Sequence, residues 1–251
     1  MSGGLYLFAV SRGLPEGALS AVTGFDGEHL RLVRSGDLQA VVCAVDLAEF
    51  GEAALPRNLE DLRWVEHVAR THDEVVRAVA RHAEAAPMRL VTIYADEDGV
   101  RRQLDRVHDD LVAALDRVTG RSEWGVKVYA RPGEPPAAPA PREASGAAYL
   151  QRKREAAQAR RTADEQVEHV ARALHEALSG ATVAARVLAP QDPRLSGRHE
   201  RMIHNGAYLV PEERADEFQA TATLLGSSRP DLIVELQGPW PPYSFAVLET
   251  G

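Results

Sequence analysis

His72, within Thr71-His72-Asp73-Glu74, is the residue of this chain that most invites a reading as a general base, since an imidazole beside carboxylates can exchange a proton near neutral pH. Yet it falls on the apolar stripe of a helix-like segment, and the sequence names no nucleophile or oxyanion donors to act with it. The structural reading is preferred: the ring packs while its nitrogens find local hydrogen bonds. His67 and His72 are five apart, on different helix faces, which spoils the i, i+4 spacing of helical zinc sites. Asp96, Glu97 and Asp98 form a carboxylate cluster, but they sit where a helix should begin and its positive pole favours acids. Asp105, Asp109 and Asp110 alternate with Arg101, Arg102 and Arg106 away from an apolar stripe, the pattern of a solvated, salt-bridged face.

Phosphate chemistry finds no starting point. Gly24, Gly27 and Gly36 sit at turns, without a G-x-x-x-x-G-K-[ST] loop or a G-x-G-x-x-G run opening a helix, and there is no G-x-S-x-G nucleophile elbow. Gln151-Arg152-Lys153-Arg154 with Arg160-Arg161 is the one basic concentration, in a chain of net charge −8. A negative background opposes phosphate binding, and the strands show no exposed aromatic platform for RNA bases, so a nucleic-acid partner is not expected. Cys43 is the single cysteine, which excludes an intramolecular disulfide and a four-cysteine zinc site. No catalytic residue, metal ligand or cofactor-binding residue is expected, and the chain reads as non-enzymatic.

These residues need elements to hold them. A length of 251 residues and an apolar share of 45% favour two ordinary globular domains. The N-terminus lacks a charged n-region before its short apolar run, and no stretch approaches the ~20 apolar residues of a membrane span. Residence in the cytoplasm follows as the expectation. Leu5 to Val10 reads as a strand, and Glu28 to Arg34 with Leu38 to Val45 as a hairpin about Ser35-Gly36-Asp37. Asn58 is a candidate cap for a helix running to about His82, whose apolar face includes Leu62, Val65, Val68, Val75, Val76 and Val79. Met88 to Tyr94 reads as a buried strand. Val100, Leu104, Val107, Leu111, Leu115 and Val118 give one clean helical stripe, and Trp124 to Tyr129 a further strand.

Five prolines among residues 132–141 predict a linker or extended loop. Beyond it, Tyr149 to about Ser179 is a long helix closed by Gly180. Thr182 to Leu188 and Ala207 to Val210 are strands, Pro211-Glu212-Glu213 opens a helix, and Leu232 to Leu236 is a last strand. The expected architecture is α+β with two domains, each a mainly antiparallel sheet covered by helices: residues 1–130, a linker at 131–145, and residues 146–251. If the second domain borrows the strand at 123–130 it acquires the βαββαβ order of a ferredoxin-like fold.

Four segments carry a resemblance: Leu5-Tyr6-Leu7-Phe8, Pro87-Met88-Arg89-Leu90-Val91-Thr92, Glu123-Trp124-Gly125-Val126-Lys127-Val128, and Gly238-Pro239-Trp240-Pro241-Pro242-Tyr243-Ser244-Phe245, with a weaker match at Gly146-Ala147-Ala148-Tyr149-Leu150. Taken in order they resemble the gas vesicle protein F/L family. Where that family often carries Phe-Gly-Thr after Pro-Met-Arg, this chain has Leu90-Val91-Thr92, which suits a buried strand and loses the glycine. The resemblance implies a two-domain α+β accessory protein, without catalytic residues, cofactor or metal, associated with gas vesicles in the cytoplasm. Its implied partners are the hydrophobic main shell protein and other vesicle accessory proteins, with no nucleic acid and no membrane lipid. Trp240, Tyr243 and Phe245 are the residues singled out, either as a rigid partner-docking surface or as a clasp packing the C-terminal segment onto the protein. The rival reading is a ferredoxin-like regulatory protein that binds a small molecule.

Overall fold

The computed structural model describes residues 3–131, 146–191, 198 and 200–246. The proline-rich stretch at 132–141, read as a linker, lies outside the described residues. Among those described, the chain up to Glu123 together with residues 239–246 forms one compact unit, and residues 124–238 form the other.

In the first unit, β1 (Gly3–Arg12) lies centrally in a sheet of order β2-β3-β1-β4, with β2 at Arg31–Ser35, β3 at Leu38–Asp46 and β4 at Glu84–Pro87. A two-residue strand, β5 (Ile93–Tyr94), also pairs with β1. The β1–β3 ladder matches Leu7 with Val42 and then Ala9 with Val41, so Phe8 is a bulge residue. Residues Gly4 to Ser11 are buried on both faces, which explains a continuous rather than alternating apolar run. On one face, Tyr6, Phe8 and Cys43 pack with Phe25, Phe50, Val68, Val75, Val76 and Val79.

The helix carrying those valines is α3 (Leu62–Ala80), preceded by the short helices α1 (Leu47–Phe50) and α2 (Leu55–Asn58). Its cap is Asp61, whose carboxylate accepts from the Arg63 amide at 2.9 Å. Asn58, expected in that role, instead ends α2 and donates its Nδ2 to the Glu49 carbonyl at 2.9 Å. The apolar stripe from Val100 to Val118 was expected to be one helix and is two, α4 (Glu97–Arg106) and α5 (His108–Val118), broken at Val107, whose φ of −117° is not helical. The stripe survives because hydrogen bonds continue through the break, from the Val107 amide to Gln103 O and from the Leu111 amide to Val107 O. The break puts His108 where both its ring nitrogens meet carboxylates, Asp37 in the β2–β3 turn at 2.8 Å and Asp109 at 3.0 Å. Asp96 caps α4 by accepting from the Gly99 amide at 2.7 Å.

Met88 to Tyr94 is not the single strand expected. β4 stops at Pro87, and the chain arches over the Phe8 bulge before β5, pinned by Met88 N to Phe8 O and by Leu7 N to Thr92 O, both 2.9 Å. Val91, inside the arch, has φ +63°, a left-handed conformation that a β-branched residue adopts only under strain. A glycine after Pro-Met-Arg-X therefore has a backbone reason at this position. The expected result is an inverted order of stability. Val91→Gly is more stable than Val91→Ala by about 1 kcal/mol in denaturant titration, because only glycine relieves the left-handed strain, and that outweighs the one further carbon it loses.

In the second unit, β6 (Arg121–Ala130), α6 (Gly146–Ser179), β7 (Ala184–Val187), β8 (Arg201–Pro211), α7 (Ala215–Ser228) and β9 (Leu232–Trp240) follow one another, and the sheet order is β7-β8-β6-β9. That is the ferredoxin-like βαββαβ arrangement, with the strand at 121–130 inside this sheet. A 3-10 turn at Glu212–Arg214 delays α7 by a turn beyond the proline. The core joins Trp124, Val126 and Val128 to Leu174, Leu178, Tyr208, Phe218 and Leu232. Only the later part of α6 contributes; the described side chains from Leu150 to Gln166, including Lys153, Arg154 and Arg161, are exposed.

Candidate functional site

Three of the segments that carry the resemblance, those at residues 5–8, 87–92 and 239–245, meet in the first unit around His72, while residues 124–128 and 146–150 belong to the second. Because the Val91 amide donates to Tyr6 Oη at 3.1 Å, the phenol proton is free to go to His72 Nδ1, 3.0 Å away. Nδ1 is then the acceptor of the ring, and Nε2 carries the hydrogen. Tyr6 is fully buried and His72 is 2% exposed. Nε2 has no hydrogen-bond partner among the described residues. Aromatic contacts hold the ring, with Tyr6 at 5.7 Å, Phe8 at 5.8 Å and Tyr243 at 6.2 Å between centroids.

Tyr243 arrives with the C-terminal segment. Its hydroxyl donates to Asp73 Oδ1 at 3.0 Å, while Asp73 Oδ2 holds Arg77 at 2.6 Å. The Arg77 guanidinium in turn lies over the Trp240 ring, 4.2 Å from its centroid. The Ser244 amide and hydroxyl both donate to the Glu123 carboxylate at 2.6 Å, and the Phe245 carbonyl accepts from Arg117 at 3.2 Å. Phe245 is buried, whereas Trp240 keeps 37% of its surface exposed. The three aromatics singled out in the sequence thus lie on one unit, each in a different setting. Pro87, Met88, Arg89 and Leu90 are the other half of the site, and the sequence offered no reason to place them opposite Tyr243.

Between these groups is a cavity of ≈ 320 Å³. Ala69, His72 and Asp73 of α3 form one side, Pro87 to Leu90 the other, and Tyr243 completes it. Its wall is mainly apolar, and Leu90 at 45% exposure stands beside it in solvent. Burial pushes the His72 pKa down to about 4 from 6.5, opposed more weakly by Asp73 and the Met88 carbonyl, so the ring is neutral at neutral pH. Burial likewise raises the Tyr6 and Tyr243 phenols. With Asp73 engaged by Arg77 and Tyr243, what the site offers a visitor is apolar wall, one buried N–H donor and the solvent-exposed Arg89. Among the described residues no group of three or more His, Cys, Asp or Glu is arranged to hold a metal, and no helix is long and apolar enough to cross a membrane.

A second buried polar cluster belongs to the other unit. Tyr208 Oη lies 2.7 Å from His204 Nε2 and 3.1 Å from His175 Nδ1. Burial pushes His204 down to about 4, helped by the charge His175 would carry. A histidine whose folded pKa is depressed takes up its proton more readily unfolded. Stability is therefore full above the unfolded value near 6.5 and is lost as pH falls toward about 4. Each of His72 and His204 is expected to withdraw about 2 kcal/mol from its own unit between about pH 7 and about pH 5. Urea midpoints across that range, followed by tryptophan fluorescence, measure the loss, and His204→Gln should flatten the slope for the second unit alone.

Known proteins place the chain. Residues 4–247 match the family described as Gas vesicle synthesis protein GvpL/GvpF. Gas vesicle protein L of Streptomyces sp. (strain CB03234) is 46% identical over 251 residues, covering 96% of this chain and 92% of that protein. Gas vesicle protein F2 of Halobacterium salinarum is 38% identical over 52 residues, 21% of this chain and 24% of that protein. The fold is that of two crystal structures. GvpF from Anabaena sp. PCC7120 superposes with a TM-score of 0.70 at 16% identity over 99% of this chain and 98% of that one. GvpF from Microcystis aeruginosa does so with a TM-score of 0.67 at 17% identity over 98% and 99%. With the match running through both units, the chain belongs to the GvpL/GvpF family of gas vesicle synthesis proteins.

Proposed function

We propose that this protein is a non-enzymatic accessory factor of gas vesicle assembly that binds the hydrophobic main shell protein and assists its incorporation into the growing vesicle. It works in the cytoplasm, associated with gas vesicles, beside other vesicle accessory proteins. Family membership supports the vesicle role. The physical need is plain: a wall protein that is apolar toward gas exposes surface that aggregates in water before assembly, and a soluble binder suppresses that. The observation that supports the reading is a largely apolar cavity in the first unit, lined by His72, Pro87 to Leu90 and Tyr243, with Tyr6 hydrogen-bonded to His72; it favours the first unit as the binding part.

Co-expression of the full chain with a gas vesicle main shell protein tests it. The expected result is a complex that co-purifies by affinity capture and stays in the supernatant on sedimentation, while the shell protein alone pellets. A shell protein that pellets equally in the presence of the folded chain, with none captured, would overturn the reading.

A further inference from the structure

We infer that the cavity beside His72 receives one apolar side chain of an extended, uncharged peptide segment, whose carbonyl oxygen accepts a hydrogen bond from His72 Nε2–H. For the identity of the partner this rests on the assembly reading above; for the chemistry of the occupant it rests on the cavity alone.

Three features specify the occupant. The first is the donor. Tyr6 fixes the tautomer by giving its proton to Nδ1, so Nε2–H, on a ring that lines the cavity, is a buried donor with no partner in hydrogen-bond geometry among the described residues, although the Met88 carbonyl is near enough to favour its proton. Leaving such a group unsatisfied is costly, and an incoming acceptor recovers that free energy. The second is charge. The one carboxylate of the wall, Asp73, is already held by Arg77 and by the Tyr243 hydroxyl, His72 itself is neutral, and Arg89, the one cation of the lining, is exposed to solvent. Nothing buried there compensates an anion, so a carbonyl suits the donor better than a carboxylate, which would be desolvated beside Asp73. The third is size. At ≈ 320 Å³ the space is at the small end of ligand pockets, room for one side chain with its backbone rather than a cofactor. An apolar side chain next to a neutral acceptor is what each residue of an apolar peptide presents, and the exposed Leu90 extends the apolar contact beyond the cavity mouth.

N-acetyl-leucinamide is the probe, with N-acetyl-glycinamide lacking the side chain and isovalerate carrying a carboxylate. In NMR titrations of the full chain, N-acetyl-leucinamide is expected to shift the His72 ring nitrogens and the Met88 methyl saturably. The other two should bind at least about tenfold more weakly. Ala69→Phe fills the cavity from α3, and Leu90→Asp places a charge at its exposed edge; both should weaken the probe about tenfold with the near-UV circular dichroism unchanged. A probe that leaves His72 unmoved, or glycinamide or isovalerate equal to leucinamide, overturns the inference.

The same variants separate it from the assembly reading. Capture of the shell protein by wild type and equally by Ala69→Phe removes the cavity from the interaction and sinks the inference, while the assembly role stands. Binding of leucinamide at His72 without capture of shell protein upholds the inference and sinks the shell protein as partner.

Discussion

Phenylalanine in place of Tyr6 is expected to destabilise the first unit by about 3 kcal/mol, far more than loss of one exposed hydroxyl would. The apolar ring stays, and with it the contacts to Phe8, Phe25 and Phe50. What goes is a single oxygen that serves two buried groups at once, accepting from the Val91 amide and donating to His72 Nδ1. Both would be stranded in a site that water reaches poorly, and each orphaned group costs on the order of 1–3 kcal/mol. The Val91 amide is the more consequential, because it pins a left-handed residue in the arch from Pro87 to Thr92. Freed of that bond, the arch should open more often, and hydrogen exchange at Val91 should accelerate in step with the loss of stability. Pairing Tyr6→Phe with His72→Phe checks the mechanism. If the cost lies in stranded partners, the double variant is less destabilised than the sum of the singles by about 1 kcal/mol or more. Additive costs would assign the effect to packing instead.

The arch also shows where sequence and structure part. A run from Met88 to Tyr94 with Met, Leu, Val, Ile and Tyr reads as a strand because side-chain type is what sequence displays. The determinant was elsewhere, in the pairing with β1: from Ala9 opposite Pro87 to Leu5 opposite Tyr94, β1 advances four residues (9 − 5) while its partner uses seven (94 − 87), so the surplus arches out of the ladder. The missing glycine before Thr92 was visible; that its position requires a left-handed backbone was not. In the same way the stripe from Val100 to Val118 correctly named the buried face of two helices, since burial follows side chains, but could not reveal the break at Val107. The α+β class and the ferredoxin-like strand order were legible because apolar periodicity switches between two and 3.6 residues at each element. Of the site, His72 and Tyr243 could be picked out singly, as a histidine on an apolar stripe and as an aromatic beside prolines. Their meeting depends on the chain returning from β9 to the first unit, and 170 residues separate Tyr243 from Asp73. No local pattern encodes a contact at that distance.

A glycine in the middle of a strand usually weakens it, yet Gly206 of β8 is expected to be far less replaceable than Gly125 of β6 in the same sheet. His204, Gly206 and Tyr208 alternate onto one face, and a Cβ on Gly206 would lie 2.6 Å from His204 Nε2 and 2.7 Å from Tyr208 Cε2. Neither ring can retreat. His204 is 5% exposed and hydrogen-bonded to the Tyr208 hydroxyl, and Tyr208 is fully buried against Phe218 and His175. The glycine therefore provides the gap through which the two side chains reach each other along their own strand. Gly206→Ala is expected to cost about 3 kcal/mol of stability in the second unit, from overpacking and from loss of the His204–Tyr208 bond. At Gly125 the nearest atom to an added Cβ is 3.8 Å away, ordinary contact, so Gly125→Ala should stay within about 1 kcal/mol of wild type. A second readout distinguishes displacement of the rings from general loosening. If Gly206→Ala drives His204 outward, its desolvation falls and its pKa climbs from about 4 back toward 6.5, with the acid loss of stability shrinking in parallel. An unchanged His204 titration in a destabilised variant would mean that the strand moves as a whole and that the gap is not what glycine supplies.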